Sequence, residues 1–437
     1  MNTFLNPRFF LPLLIILAAT AILTSPASSA TTTGEPLKLA LFDWITYLNE
    51  SAPAAGLAVN ASNIEILAAK AISVNIFIAV QHFNERRADI VPALAQVPHS
   101  CKLNLSIVSF CDTQNDPIRA TVGFAKTMSL NSPHAMIGGS GPETARDLIL
   151  MSSNIAEIPF VSHRAHDALF ANRDPYTLFA RTWQDDGDYS NTLANLISFL
   201  NYSEVVVLFV QYADSESMAY KLRKNLLQAY NIQPHLFSFT DLDPISTLSA
   251  FENAAKLQLN VIVCIASTIS VLTQFPNFAT QTGLIDGKLW IFTDYDRPFT
   301  QVDIDTSANL SSLLQNSYRL DTTIQLPDPV FSSYLERWAQ DEFVSVIPSI
   351  NARLPPQGFA NDSKSCANDM NNLQLPSTFF ADTVALQQDA WALAYDTVIA
   401  IGLGACAALN PYDGPTLYQS VIQQDFKACL GVSNLTR

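Results

Sequence analysis

Strand–helix alternation runs through this chain twice in succession, and that repeated pattern restricts the fold more than any single motif. In the first run, Leu37–Phe42 reads as a short apolar strand, and apolar residues at helical spacing fill Ile64 to Arg87. Lys102–Phe110 alternates like a strand, and Asp116-Pro117 opens a helix that reaches about Leu130. The strand Ala135–Ile137, the helix Glu143–Met151 and the strand Ile158–Val161 complete this run. The second run begins with the helix Asp188–Leu200, the strand Glu204–Phe209 and the helix Ser217–Tyr230. It continues through the strand Leu236–Phe239, the helix Leu248–Leu257 and the strand Val261–Ile265. A broken helix from Ile269 to Gln281 and a closing strand, Lys288–Thr293, end it. Such alternation predicts parallel sheets covered by helices on both faces.

The chain then returns to helix. Pro327 to Ile347 carries Phe331, Tyr334, Trp338 and Phe343 at helical spacing, and Asn351–Asn372, rich in Pro, Asn, Asp and Ser, reads as a surface loop. The apolar helix Thr383–Leu409 follows, with Tyr395-Asp396-Thr397-Val398-Ile399-Ala400-Ile401 inside it. Leu417–Phe426 reads as a last amphipathic helix with no obvious strand after it. A buried helix this late suggests two interleaved lobes rather than two domains in series. Interleaved lobes enclose a cleft, and a cleft suggests ligand sensing. Asp396 reads as a structural carboxylate of the packed helix.

The ends and the composition narrow the class. Arg8 is the only charge before an apolar stretch from Phe9 to Leu23, and Ser28-Ser29-Ala30 offers small residues for a cut after Ala30. Residues 1–30 thus read as a secretory signal peptide, with an uncleaved signal anchor as the alternative. Charged residues make up 14% of the chain, yet the net charge is −15. With no run of Lys or Arg to track a phosphate backbone, nucleic acid is not an expected partner. Ala390 to Leu409 carries Asp396 and reads as a buried helix rather than a membrane span. Seven N-glycosylation acceptors suit the secretory route: Asn49, Asn60, Asn104, Asn201, Asn309, Asn361 and Asn434. Of six cysteines, Cys101 and Cys111 bracket a strand that would span about 30 Å, so they seek other partners unless the chain bends back. Cys264 lies in an apolar run and reads as an inert core thiol, while Cys366, Cys406 and Cys429 are left unpaired by sequence.

Candidate ligand contacts sit where strands end, the edge at which open parallel sheets bind. Gly139, Ser140 and Gly141 follow the strand Ala135–Ile137, where backbone N–H groups can receive an anion or else simply make a tight turn. The loop lacks the spacing of a nucleotide phosphate loop or a dinucleotide site. Ser162, Arg164 and His166 follow the next strand, and a hydroxyl with a guanidinium can orient a carboxylate. His163 and His166, with Asp167 adjacent, could start a metal site, but no third ligand is evident and none is expected. Asp185 suits a helix cap and Asp186 the amine of a small ligand. Tyr212, Ser267, Thr268, Asp294 and Tyr295 occupy the corresponding strand ends of the second run. No hydrolase elbow, zinc-protease helix or Cys–His pair is present, so neither an enzyme nor a cofactor is expected.

An ordered set of segments resembles a known family. It comprises Lys102-Leu103-Asn104-Leu105 with Cys111-Asp112-Thr113-Gln114-Asn115-Asp116, Met136-Ile137-Gly138-Gly139, Ile158-Pro159-Phe160-Val161-Ser162 and Tyr176-Thr177-Leu178-Phe179-Ala180-Arg181-Thr182. Gly287-Lys288-Leu289-Trp290-Ile291 and Ala394-Tyr395-Asp396-Thr397-Val398 continue it. The set resembles the extracellular ligand-binding region of class C G-protein-coupled receptors and natriuretic-peptide-type receptors, nearest the metabotropic GABA and glutamate group. That region is similar in fold to type I periplasmic binding proteins. The resemblance implies an α/β fold, a bilobed clamshell in which each lobe is a mainly parallel sheet flanked by helices and the chain crosses three times. It places lobe 1 at residues 35–182 plus 322–410 and lobe 2 at 183–321 plus 411–437. It further implies a small amino-acid-like carboxylate in the cleft, closure on binding, dimerisation through lobe 1 and a membrane-embedded signalling domain beyond Arg437. Asp186 falls at the place of the family's amine-binding acid, and Tyr212 approximates its second-lobe aromatic. Gly141, Pro142 and Glu143 stand where amino-acid-binding members carry Ser, and Arg164 and His166 where they are rich in Ser and Thr.

Two other readings compete with the receptor ectodomain on the outer side of the plasma membrane. One is a secreted soluble binding protein, which the reading frame past residue 437 would discriminate. The other is a receptor subunit that pairs with a ligand-binding partner without binding ligand itself.

Overall fold

The computed structural model describes residues 35–43, 58–113, 116–139, 142–165, 167–171, 174–182, 186–211, 213–240, 243–266, 268–293, 308–315, 317–320, 337, 379, 389–428 and 431–434. Its first elements are β1 (Leu37–Asp43), α1 (Ala58–Glu85), β2 (Leu105–Asp112), α2 (Pro117–Asn131), β3 (Ala135–Gly138), α3 (Pro142–Met151), β4 (Phe160–Ser162) and β5 (Phe179–Arg181). There follow α4 (Asp186–Phe199), β6 (Glu204–Val210), α5 (Ala213–Tyr230), β7 (Gln233–Phe239), α6 (Pro244–Lys256) and β8 (Val261–Ile265). The chain continues as α7 (Thr268–Thr273), α8 (Phe275–Thr282), β9 (Leu289–Thr293), α9 (Ala308–Leu314) and β10 (Ser317–Leu320). The last described elements are α10 (Asp389–Ala407), α11 (Gly414–Val421), β11 (Asp425–Ala428) and β12 (Gly431–Asn434). The signal segment, the helix expected over 327–347 apart from Arg337, and the loop over 351–372 lie outside the described residues.

Two compact units result. Unit 1 takes Met1–Ala165, Arg173–Trp183 and Gln325–Arg437; unit 2 takes His166–Asn172 and Gln184–Ile324. The chain therefore passes between units at four points rather than the three expected, because a short excursion over residues 166–172 belongs to unit 2. There the Asp167 carboxylate accepts from the Ser217 hydroxyl at 2.9 Å and from the Leu169 N–H at 2.8 Å. The terminal segment 411–437, expected in the second lobe, falls in unit 1. The Tyr418 hydroxyl of α11 donates to the Phe179 carbonyl at 2.9 Å, and a Cβ on Gly414 would meet the Glu157 carbonyl oxygen.

Both units carry an all-parallel five-stranded sheet, ordered β2-β1-β3-β4-β5 in unit 1 and β7-β6-β8-β9-β10 in unit 2. The two orders are the same permutation, so the resemblance between halves read from the sequence is a true repeat of topology. β5, β10 and the antiparallel β11–β12 pair were not read from the sequence; each is only three or four residues long. Lys288–Thr293 is consequently not the closing strand of the second sheet, since β10 pairs outside it.

Strand alternation loads both faces of the unit 2 sheet. Val206, Leu208, Ile262, Cys264, Trp290 and Phe292 pack with Phe251 of α6 and Phe275 of α8, and Trp290 stacks on Phe292 at 5.6 Å. The alternate residues Val205, Val207, Phe209, Val261, Val263 and Ile291 pack with Leu193 and Ile197 of α4 and with Leu222 and Leu226 of α5. Cys264 is buried and free, and burial raises its thiol pKa well above the usual range, so it is the inert core thiol expected.

In unit 1 the late helix α10 lies along α1. Ala392 to Ile401 are buried without exception, Asp396 included. Each large aliphatic side chain sealed here contributes about 1.5–3 kcal/mol. The approach is close because a Cβ on Gly402 would lie 2.4 Å from the Phe83 ring. Among the described residues no helix is long and apolar enough to cross a membrane. Cys101 bonds to Cys406, tying the loop before β2 to the end of α10, and Cys111 is disulfide-bonded as well.

Candidate functional site

In a parallel sheet all strands end on one edge, and the order 2-1-3-4-5 reverses direction between its first and third strands. The crevice outside that reversal point is where such sheets bind ligands. In unit 1 the edge is made by Asp43 of β1, Asp112-Thr113 at the end of β2, Gly138-Gly139 at the end of β3, Ser162-His163-Arg164 at the end of β4, and Arg181-Thr182 at the end of β5.

Backbone bonds knit these ends together. The Thr113 N–H donates to the Asp43 carbonyl at 2.7 Å, the Gly139 N–H to the Phe42 carbonyl at 2.8 Å, and the Thr182 N–H to the Ser162 carbonyl at 2.9 Å. β1 and β3 approach so closely that a Cβ on Gly138 would fall 1.6 Å from the Phe42 carbonyl oxygen; its φ is +131°. The Thr182 hydroxyl adds a bond to the Leu393 carbonyl at 3.2 Å, which fixes the end of β5 against α10.

Most polar side chains of this edge are buried, Arg164 and Thr182 only partly. Ser162 is buried, and its Oγ accepts from the Arg164 N–H at 3.1 Å and the Ala165 N–H at 2.9 Å. That hydroxyl shapes the turn after β4. His163 is fully buried, with Nε2 3.6 Å from Oδ2 of Asp43 and neither ring nitrogen in a hydrogen bond. Burial, and next the charge of Arg164, push its pKa down to about 3, so the imidazole is neutral. Arg181 is buried too and donates through Nη1 to the Ala165 carbonyl at 3.1 Å. Arg164 is half-buried and stands within one turn of Ser162.

Of the residues expected from sequence, Gly139, Ser162 and Arg164 are thus gathered on adjacent strand ends. The Gly139 N–H is committed to its neighbouring strand rather than left for an anion. Asp186 starts α4, but its side chain lies outside the described residues, as do Ser140, Gly141, His166, Tyr212, Ser267, Asp294 and Tyr295. The described unit 2 edge offers Gln211, which donates to the Ser238 hydroxyl at 3.0 Å and accepts from the Thr240 hydroxyl at 3.2 Å. The Thr293 hydroxyl there donates to the Cys264 carbonyl at 3.1 Å. His163 meets Asp43 whereas Asp167 meets Ser217, and no group of three metal-ligating side chains gathers among the described residues. Asn104 and Asn201 are exposed; Asn60, Asn309 and Asn434 lie in α1, α9 and β12, and Asn49 and Asn361 outside the description.

Sequence reading missed Asp43, Asp112 and Arg181 as edge residues and weighed His163 only for a metal. Each directly ends or follows an apolar strand, and that position was the available signal.

Two units of repeated 2-1-3-4-5 topology with polar strand ends define a type I periplasmic-binding-protein-like fold. Solved structures agree. The chain is similar to a leucine binding protein, LivK, from Thermotoga maritima, with a TM-score of 0.59, 13% identity and coverage of 91% of this chain and 93% of that one. It is also similar to an ABC transporter solute binding protein from R. palustris in complex with benzoate, with a TM-score of 0.55, 13% identity and coverage of 92% and 91%. No curated protein matches the chain by sequence. The family described as the receptor family ligand binding region matches residues 93–433, and the chain belongs to it. That is a family of ligand-binding regions rather than of enzymes.

Proposed function

We propose that this chain is the extracellular ligand-binding region of a cell-surface receptor, of G-protein-coupled, GABA- or glutamate-receptor-like type. It takes a small amino-acid-like carboxylate at the carboxyl edge of its sheets. One observation supports the reading above others: a receptor-family match over residues 93–433 coincides with a strand-end edge that carries the half-buried guanidinium of Arg164. Arg164 supplies the charge for the carboxylate. Asp186 is assigned the ligand amine, and Tyr212, Ser267, Asp294 and Tyr295 the remaining contacts. A ligand with greater affinity for one conformation shifts the population toward it, and that shift is the signal. Dimerisation through the first lobe and a signalling domain following in sequence belong to the same proposal.

The test is thermal-shift screening of the secreted chain against amino acids, GABA, small carboxylates and benzoate, repeated with Arg164→Ala. A stabilising carboxylate whose effect is lost in the variant is the expected result. No stabilisation by any compound sinks the sensing role.

A second reading, a partner subunit that binds no ligand, is favoured by the committed Gly139 N–H and the sealed Ser162 hydroxyl. On that reading Arg164→Ala and Asp186→Asn leave signalling by the paired receptor unchanged.

A further inference from the structure

Phe199 is the odd residue of α4. Leu193, Ala194 and Ile197 are in the core and Leu196 and Leu200 pack against it, whereas Phe199 is 86% exposed. Immediately after it the helix stops in a tight turn. Asn201 takes a φ of 60°, and its N–H donates to the Ser198 carbonyl at 2.9 Å. Asn201 and Ser203 are exposed, while Tyr202 between them packs against the core. Asn201-Tyr202-Ser203 is an N-glycosylation acceptor.

We propose that Asn201 carries an N-linked glycan and that the Phe199 ring is the platform for its first N-acetylglucosamine. One face of a pyranose presents only C–H bonds, whose positive ends suit the negative face of an aromatic ring, and contact removes both from water. Two residues span at most about 7 Å, within reach of a sugar bonded directly to the asparagine. In the transfer, Nδ2 loses a proton and forms a C–N bond to the anomeric carbon. The C–O bond of a lipid-pyrophosphate-linked oligosaccharide, the co-reactant, breaks, and the lipid pyrophosphate leaves. The same aromatic spacing recurs at Tyr47 before Asn49 and Phe359 before Asn361. Aromatic residues are 10% of the chain, so seven acceptors would average fewer than one such neighbour by chance. Asn104, also exposed, has Lys102 at that position and serves as the comparison.

This inference rests on the extracellular reading. The full chain is expressed through a eukaryotic secretory pathway as wild type, Phe199→Ala, Asn201→Gln, the double variant and Asn104→Gln. Site occupancy is read by peptide mass spectrometry and stability by thermal unfolding. Expected are an occupied Asn201 and a loss of about 1–3 °C for Phe199→Ala in the glycosylated chain, with no loss in the Asn201→Gln background. Occupancy at Asn104 with a bare Asn201, or equal effects of Phe199→Ala in both backgrounds, overturns this inference alone. Bare asparagines at both sites overturn the extracellular reading with it.

Discussion

The Nε2 atom of His163 lies 3.6 Å from Oδ2 of Asp43, joining the carboxyl ends of β4 and β1 inside unit 1. The imidazole is held neutral, with its pKa near 3 against 6.5 in an unfolded chain. Between those values the unfolded state takes up a proton that the native state refuses. Stability contributed by the neutral ring is therefore complete above about pH 6.5 and is lost as pH falls toward 3, by about 1.4 kcal/mol per pH unit. His134, lowered to about 4 by burial and then by Lys38, acts in the same direction. Urea unfolding from pH 7 to 4.5 should show a falling stability whose slope is reduced, but not abolished, in His163→Gln. An identical slope in the variant refutes the assignment.

Gly138→Ala should cost at least about 3 kcal/mol, because the added methyl meets backbone rather than a yielding side chain. Gly287→Ala is the matched comparison: its φ is +68° and nothing lies within 4 Å, so about 1 kcal/mol is expected. Chemical denaturation of both reads the difference, and equal losses would mean that β1 and β3 do not approach as described.

Tyr395 hydrogen-bonds Nδ1 of His82 at 2.9 Å where α10 packs on α1, and both residues are buried. Tyr395→Phe removes the hydroxyl while keeping the ring, and should lower stability by about 1–2 kcal/mol. Tyr412→Phe, whose exposed hydroxyl donates to the Glu35 carbonyl at 2.7 Å, should change stability by less than about 0.5 kcal/mol. The two variants are compared by equilibrium unfolding.

Breaking the Cys101–Cys406 bridge by paired serine substitution should lower stability by about 2–4 kcal/mol, chiefly by freeing a chain loop of sequence separation 305 in the unfolded state. Thermal unfolding of the oxidised variant measures it. An unchanged midpoint would show that α10 docks without the bridge.

Legibility followed local signals, caps and apolar runs, rather than element length. The helix start at Asp116-Pro117 was readable because the Asp116 carboxylate accepts from the Ile118 N–H at 2.8 Å, a local bond that sequence spacing announces. The strands Val261–Ile265 and Glu204–Val210 were legible from continuous apolar runs. β5, β10 and β12 were not: β3 and β4 are as short but continue apolar runs, whereas Arg181, Arg319 and Ser433 interrupt these segments and leave no apolar run to separate a strand from a loop. At the candidate site, position at a strand end was legible for Gly139, Ser162 and Arg164. Their orientation was not, because the inward turn of Ser162 depends on two backbone donors in its own loop.

By itself the sequence determined the repeated strand–helix order, the parallel sheets and the burial of Ala392–Ile401 in the late helix, because these follow from local periodicity and from apolar runs that must leave water. It also determined the inert character of Cys264, which any centre-strand position would confer. Only the tertiary structure decided that Asp43 and His163 meet, that Cys101 reaches Cys406, and that residues after Asn410 stay in unit 1. Each of these joins residues more than a hundred positions apart or assigns a short segment to one of two sheets of identical order. No local pattern encodes such a choice; it is made by close packing, where glycines such as Gly138 and Gly402 leave space for one approach and exclude others.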